Sequence, residues 1–338
     1  MAVDTSAAGA ARERQDRLLK PRGSLGRLEE LAIWMAEVTG EPIPELRPLV
    51  VIAAADHGVA AEGVSAYPQE VTGQMIAAFL GGGSAISVLA REAGADVRVV
   101  DAGVAAGGDR TGVIVTGLAP SRNLAEDAAL TAEDVDLALD AGRRLAGDAH
   151  EHGANVLVGG DMGIANTTPS ACLAAWLTGA SPAAVCGRGT GVDDAGLERK
   201  RAVVARALAL HGPRIDGPRE ALRRLGGGEL AVLCGLALGA GEHGLGCVCD
   251  GVVATAAVAI AAAIEPGLRA RLLAGHRSPE PAHGLLLEHL GLDPVLDLGM
   301  RLGEASGAAA ALAILRLACA LHAGMATFDE ASVSGPAR

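Results

Sequence analysis

The sequence predicts an α/β protein, a Rossmann-like three-layer parallel sheet with a smaller helical lobe. Two patterns carry that expectation: short apolar runs alternate with Ala-rich stretches whose apolar residues recur three and four apart, and several of the runs end in glycine-rich turns. At 338 residues, half of them hydrophobic, the chain can bury a core of that size.

Residues 1–48 are charged, helical in pattern and punctuated by proline. They read as a separate helical segment belonging to the small lobe, with a helix over Ser24–Val38. The α/β domain is expected over 49–328, and 329–338 read as a loose tail. Its strands are expected at Leu49–Ala54, Val97–Val100, Asn155–Val158, Ala183–Val185 and Cys247–Cys249. Helices are expected at Glu70–Phe79, Ala132–His150, Leu197–Leu210 and Ala308–Ala323.

The balance of 28 basic against 40 acidic residues gives a net charge of −12, which repels polyanions and argues against nucleic acid or an anionic membrane as partner. An anionic substrate must therefore meet a local positive field. The opening M-A-V-D-T-S-A-A-G-A-A-R-E-R has no charged region followed by an apolar one, and the apolar stretch Leu230–Leu238 is too short to span a bilayer. The expectation is a soluble, cytoplasmic protein. Of six cysteines, only Cys247 and Cys249 are close, and they are expected on opposite faces of a strand. The nine histidines fit no H-E-x-x-H pattern. No metal and no cofactor is expected.

Only Lys20 and Lys200 are lysine among the 28 basic residues. A retained lysine marks a place for a compact ammonium instead of a planar fork, or it has survived by chance. Glycine-rich turns follow three of the expected strands: A-A-A-D-H-G, G-G-D-M-G-I-A-N-T-T and C-G-R-G-T-G-V-D-D. Glycine lets backbone N–H groups approach an anion, and Thr167 and Thr168 are placed to open a helix whose N-terminus favours phosphate. The plainer alternative is that such turns let strands meet helices tightly. G-A-G-E-H-G at 239–244 fits a dinucleotide fingerprint, with Glu265 downstream, but it reads as a helix-to-strand turn, the reverse of the required order. There is no P-loop and no nucleophile elbow.

Five blocks together resemble the nicotinate-nucleotide:dimethylbenzimidazole phosphoribosyltransferases of cobalamin biosynthesis. They are K-P-R-G-S-L-G-R-L-E-E-L-A (20–32), the block 55–75 containing A-D-H-G and S-A-Y-P-Q-E-V-T-G-Q-M, G-D-M-G-I-A-N-T-T-P-S-A (160–171), G-R-G-T-G-V-D-D-A-G-L-E-R-K (187–200), and 275–308 ending in R-L-G-E-A-S-G-A. The resemblance implies that a lower-ligand base attacks C1′ of nicotinate mononucleotide with inversion, giving α-ribazole 5′-phosphate and nicotinate. It also implies a homodimer with sites near the interface.

Carried over residue by residue, the resemblance makes Glu304 the general base. A benzimidazole attacking through one nitrogen turns imidazolium-like, and the proton on the other nitrogen becomes acidic enough for a carboxylate to take. The alternative for Glu304 is a capping carboxylate at the helix 308–323, whose N-terminus would favour the ionised form. Asp161 is implied as an auxiliary acid, one methylene shorter than the family's usual Glu, and Lys200 as a point charge near phosphate or ribose. Phosphate is expected on Gly163, Ile164, Asn166, Thr167, Thr168, Gly187, Gly189 and Gly191, with Arg188 as a charge partner. Tyr67, Gln74 and Met75 are expected to sandwich the flat base, and Asp56 and His57 to orient a substrate group or cap the following turn. Two other classes compete. One is a catalytically dead nucleotide-binding homologue; the other is a metal-dependent phosphoribosyltransferase of another pathway, for which Asp193 and Asp194 would supply the acidic pair. Which base is preferred turns on pocket shape.

Overall fold

The computed structural model describes residues 3–105 and 110–334. Asp4 accepts the free N–H groups of Ser6 and Ala7 and starts α1 (Thr5–Arg17). Helix α2 (Arg27–Thr39) stops at Gly40, whose φ of 72° glycine holds at little cost. β1 (Pro48–Ala54) follows, then α3 (Glu70–Leu80) and α4 (Ala85–Glu92), which Ser84 restarts by capping Ser87. β2 (Asp96–Asp101) and β3 (Val113–Val115) come next. A reciprocal Thr131–Asp134 capping box starts α5 (Ala132–Glu151), which leads to β4 (Val156–Met162). The chain continues through α6 (Thr167–Thr178), α7 (Pro182–Val185), α8 (Asp194–His211), α9 (Pro218–Leu225), α10 (Gly228–Glu242) and β5 (Gly246–Cys249). It ends with α11 (Val252–Ile264), β6 (Leu272–His276), α12 (Pro281–Leu290), β7 (Pro294–Leu296) and α13 (Ser306–Gly324).

The strands form one parallel sheet in the order β3-β2-β1-β4-β5-β6-β7. Every residue of β1 and β4 is buried, because both faces are covered. Leu49, Val51 and Ala53 point into a core that includes residues of α5, α6, α10 and α11, while Val50, Ile52 and Ala54 point into one shared with α2, α3 and α13. This is the three-layer arrangement expected. Chain order reverses between β1 and β4, so their carboxyl ends open the crevice in which such sheets bind ligands.

The G-A-G-E-H-G segment ends α10 and turns into β5, helix to strand as expected. The glycines of α10 serve packing: a Cβ on Gly235 would stand 2.3 Å from Leu139 O, and one on Gly239, the first of that segment, 2.7 Å from Ala146 Cβ, where α10 crosses α5.

Three expectations are corrected. Ala183–Val185 is helical, within α7, because Ser181 caps Ala184 N–H and Pro182 sits at the first helical position. Cys247 and Cys249 share one face of β5, since side chains two apart on a strand point the same way, and both lie in one core cluster. Strands β3, β6 and β7, too short or too apolar to show a period, were not anticipated. By length and composition, Glu70–Glu92 and Ser306–Gly324 could each cross a membrane; the first is interrupted between α3 and α4, and half of the second is buried in protein.

Candidate active site

A cavity of about 630 Å³ opens at the carboxyl end of β4. Asp161, Met162 and Gly163 bring the strand end to it, and Ile164 and Asn166 the turn into α6. Val71 and Met75 of α3 form one wall with Tyr67, which is 52% exposed at the mouth. Arg301, Leu302 and Glu304 close it from the loop before α13. A recess of about 60 Å³ shares Asp161, Asn166 and Arg301 with this cavity and is reached by Thr167, Gly189, Gly251, Val252, His276 and Glu280. Neither α6 nor α11 has a side-chain cap, so their free N–H groups favour an anion there.

Glu304 is 6% exposed, and with φ of 59° it sits in the left-handed region, followed by Ala305 at 63°. Two non-glycine residues in succession there cost roughly 1–2 kcal/mol each. Its carboxylate makes no capping hydrogen bond to α13. Its shift runs against the ionised form that a helix N-terminus was expected to favour. Burial, reinforced by the Asp250 carboxylate, pushes Glu304 up to about 7. Asp161 is pushed up to about 8, by burial first and then by Asp250, while its hydrogen bond from Asn166 opposes the change. Asn166 Nδ2 donates to Asp161 Oδ2 at 2.8 Å; Oδ1 has no donor among the described residues.

Lys200 lies behind the cavity wall. It is 1% exposed, and Nζ donates to Thr167 Oγ1 at 2.7 Å and to Gly187 O at 3.2 Å, tying the start of α6 to the 187–191 turn. Burial lowers its pKa, with Glu280 acting against the change. Glu280 Oε1 also accepts Gly189 N–H at 2.9 Å. Both lysines of the chain are buried, Lys20 pairing with Glu29 at 2.7 Å.

Other expected residues are not brought to the cavity. Arg188 turns outward to Asp194 and to Val192 O, Gln74 is exposed on α3, Thr168 is buried below the turn, and Gly187 and Gly191 flank the recess without lining it. Asp56 is tied by Ala105 N–H, and His57 Nε2 stands 2.8 Å from Glu229 Oε1, both histidine and glutamate fully buried. Asp193 caps Gly196 N–H of α8, and Asp194 pairs with Arg188, so this acidic pair is committed elsewhere. Sequence reasoning missed Asp250, His276 and Arg301. Asp250-Gly251 at the end of β5 repeats the strand–Asp–turn pattern of A-D-H-G, which was the available signal.

A family model described as phosphoribosyltransferase matches residues 1–333. The chain belongs to this family. A protein of Chromobacterium violaceum named nicotinate-nucleotide--dimethylbenzimidazole phosphoribosyltransferase is 52% identical over 335 residues, covering 98% of this chain and 97% of its own. A Pseudomonas aeruginosa protein of the same name is 51% identical, covering 96% and 93%. The crystal structure of the enzyme of that name from Thermus thermophilus superposes with a TM-score of 0.92 at 47% identity, covering 98% of this chain and all of the other.

Proposed function

We propose that this phosphoribosyltransferase moves the 5-phosphoribosyl group of nicotinate mononucleotide to 5,6-dimethylbenzimidazole or a related base, giving α-ribazole 5′-phosphate and nicotinate for the cobalamin nucleotide loop. The shared name of relatives about half identical over nearly the whole chain supports the reaction. The observation that carries the mechanism is Glu304: a carboxylate free of capping duty on the wall of a cavity whose apolar side is formed by Val71, Met75, Met162, Ile164 and Leu302.

A flat, neutral base fits that apolar wall. One ring nitrogen attacks C1′ from the face opposite nicotinate. The new N–C1′ bond forms as the C1′–pyridinium bond breaks, and the pyridinium nitrogen takes the electron pair, so nicotinate leaves with its ring uncharged. The proton on the second nitrogen passes to Glu304, a step worth roughly 10²–10⁴ in rate. Asp161, raised to about 8, is largely protonated at neutral pH and offers an O–H to the ribose side. The 5′-phosphate goes to the recess, where the N-termini of α6 and α11 and the Arg301 guanidinium supply the positive field that the acidic surface lacks. Lys200 holds the two sides of that recess together. The reading includes a cytoplasmic homodimer, which light scattering of the purified protein tests for assembly.

The decisive experiment incubates the protein with nicotinate mononucleotide and 5,6-dimethylbenzimidazole in EDTA, with product analysis against a panel of purines and phenols. We expect α-ribazole 5′-phosphate; no product, or strict dependence on metal, overturns the reading.

A further inference from the structure

Glu304 feels the charge of a second buried carboxylate that the chemistry above does not use. Asp250 follows β5 and is 0% exposed. Its Oδ1 accepts the N–H of Ala308, in the first turn of α13, at 2.9 Å, and lies 3.5 Å from Nε2 of His276 at the end of β6. Oδ2 meets no donor among the described residues. Burying a carboxylate with an unanswered oxygen is costly, and such groups cluster where their charge has a use. Asp161 from β4, Asp250 from the end of β5 and Glu304 from the loop before α13 interact electrostatically across one corner of the site.

We propose, on the reading of Glu304 as the base, that Asp250 is its positioning residue, fixing the entry to α13 through Ala308 and holding a negative charge that acts on the Glu304 carboxylate. Other titratable groups face the same corner. Asp161, with Glu229 and His57 beyond it, lies toward β4 and α10. His276 and His283 lie toward β6 and α12, His283 being pushed down to about 4 by burial and by His276. Lys200 and Glu280 are behind the 187–189 turn, Cys249 precedes Asp250, and Arg301 is on the loop of Glu304 itself. Among these, Asp250 is the one that joins burial in raising Glu304. A carboxylate so raised is the stronger base when ionised, and needs a higher pH to become so.

Asp250→Asn keeps an oxygen for the Ala308 N–H and removes the charge. In kcat/KM profiles of the full-length protein from pH 5 to 9, we expect the acidic limb to move to lower pH by about one unit and the plateau to fall roughly two- to tenfold, since the base is weaker. Asp250→Glu, which restores the charge, should move the limb back. A lowered plateau with an unmoved limb would make Asp250 a packing residue and overturn the proposal. Failure of the wild type to form product would instead sink the base reading, so the two failures are distinct. Asp250→Ser serves in place of an Asn variant that does not fold. Independently, ¹³C titration of the Glu304 carboxyl in the wild type decides: a value in the ordinary range, near ~4.3, leaves Asp250 nothing to explain and overturns the proposal.

Discussion

Gly160 and Ala305 meet so closely that a Cβ on Gly160 would stand 2.5 Å from the Ala305 nitrogen. The central strand of the sheet and the loop carrying Glu304 are therefore in direct backbone contact, and the absence of one side chain sets where the carboxylate stands. Because the obstructing atoms at Gly160 belong to the backbone and the Ala305 Cβ, none can swing aside.

Gly160→Ala should displace the 303–305 loop. Turnover is expected to fall about 100-fold, as a misplacement near 1 Å does, with a stability loss of roughly 1–3 kcal/mol by denaturant titration. Gly284→Ala, in α12 with nothing within 4 Å of the new Cβ, is the control and should leave turnover unchanged.

Glu304→Gln keeps the shape of the side chain and cannot accept a proton. Turnover should drop ~10²–10⁴-fold while nucleotide affinity changes little. Since Glu304 makes no cap to α13, melting temperature should not fall. Near-normal turnover would refute the base role and move attention to Asp161.

Stability of the ligand-free protein should depend on pH through the same two groups. Glu304 at about 7 and Asp161 at about 8 both lie above their ordinary carboxylate values, so the folded state binds these protons more tightly than the unfolded chain. Their contribution is complete below the ordinary carboxylate range and is lost as pH rises through 7 and 8. Melting temperature should accordingly decline between pH 5 and 8.5, and Glu304→Gln should flatten part of that decline in scanning calorimetry.

Lys200→Arg puts a planar fork into a pocket built for an ammonium donating to Thr167 and Gly187 O. Overpacking should lower stability by about 1–3 kcal/mol, and loosening of the recess should raise the KM for nicotinate mononucleotide more than it lowers kcat. Wild-type kinetics would return Lys200 to a purely structural role.

Much of this arrangement was legible in the sequence. The long helices were, because α5, α8 and α13 carry clear three- and four-residue periods and, in α5, a capping box. Ala183–Val185 misled because three apolar residues have no measurable period, and the Ser181-Pro182 start signal decided for helix. Tyr67, Met75, Asp161 and Glu304 were named from blocks of sequence and line one cavity. Arg188 was named from the same kind of block and faces away, because which side of a glycine turn a side chain leaves from depends on partners such as Asp194 that spacing does not reveal. Asp250 escaped notice since its effect on Glu304 arises only when β5 and the loop before α13 are brought together.

The burial of both lysines gives the chain an unusual proteolytic signature. Pro21 after Lys20 makes that bond a poor substrate for a lysine-specific protease, which leaves the Lys200–Arg201 bond as its main target. That bond lies within α8, and the side chain the protease must grip is 1% exposed. Cleavage then requires α8 to open locally, and a single cut into two fragments counts those openings on a gel. A nucleotide that tightens the recess should slow the appearance of the fragments in proportion to its occupancy, reporting ligand binding without any turnover at all.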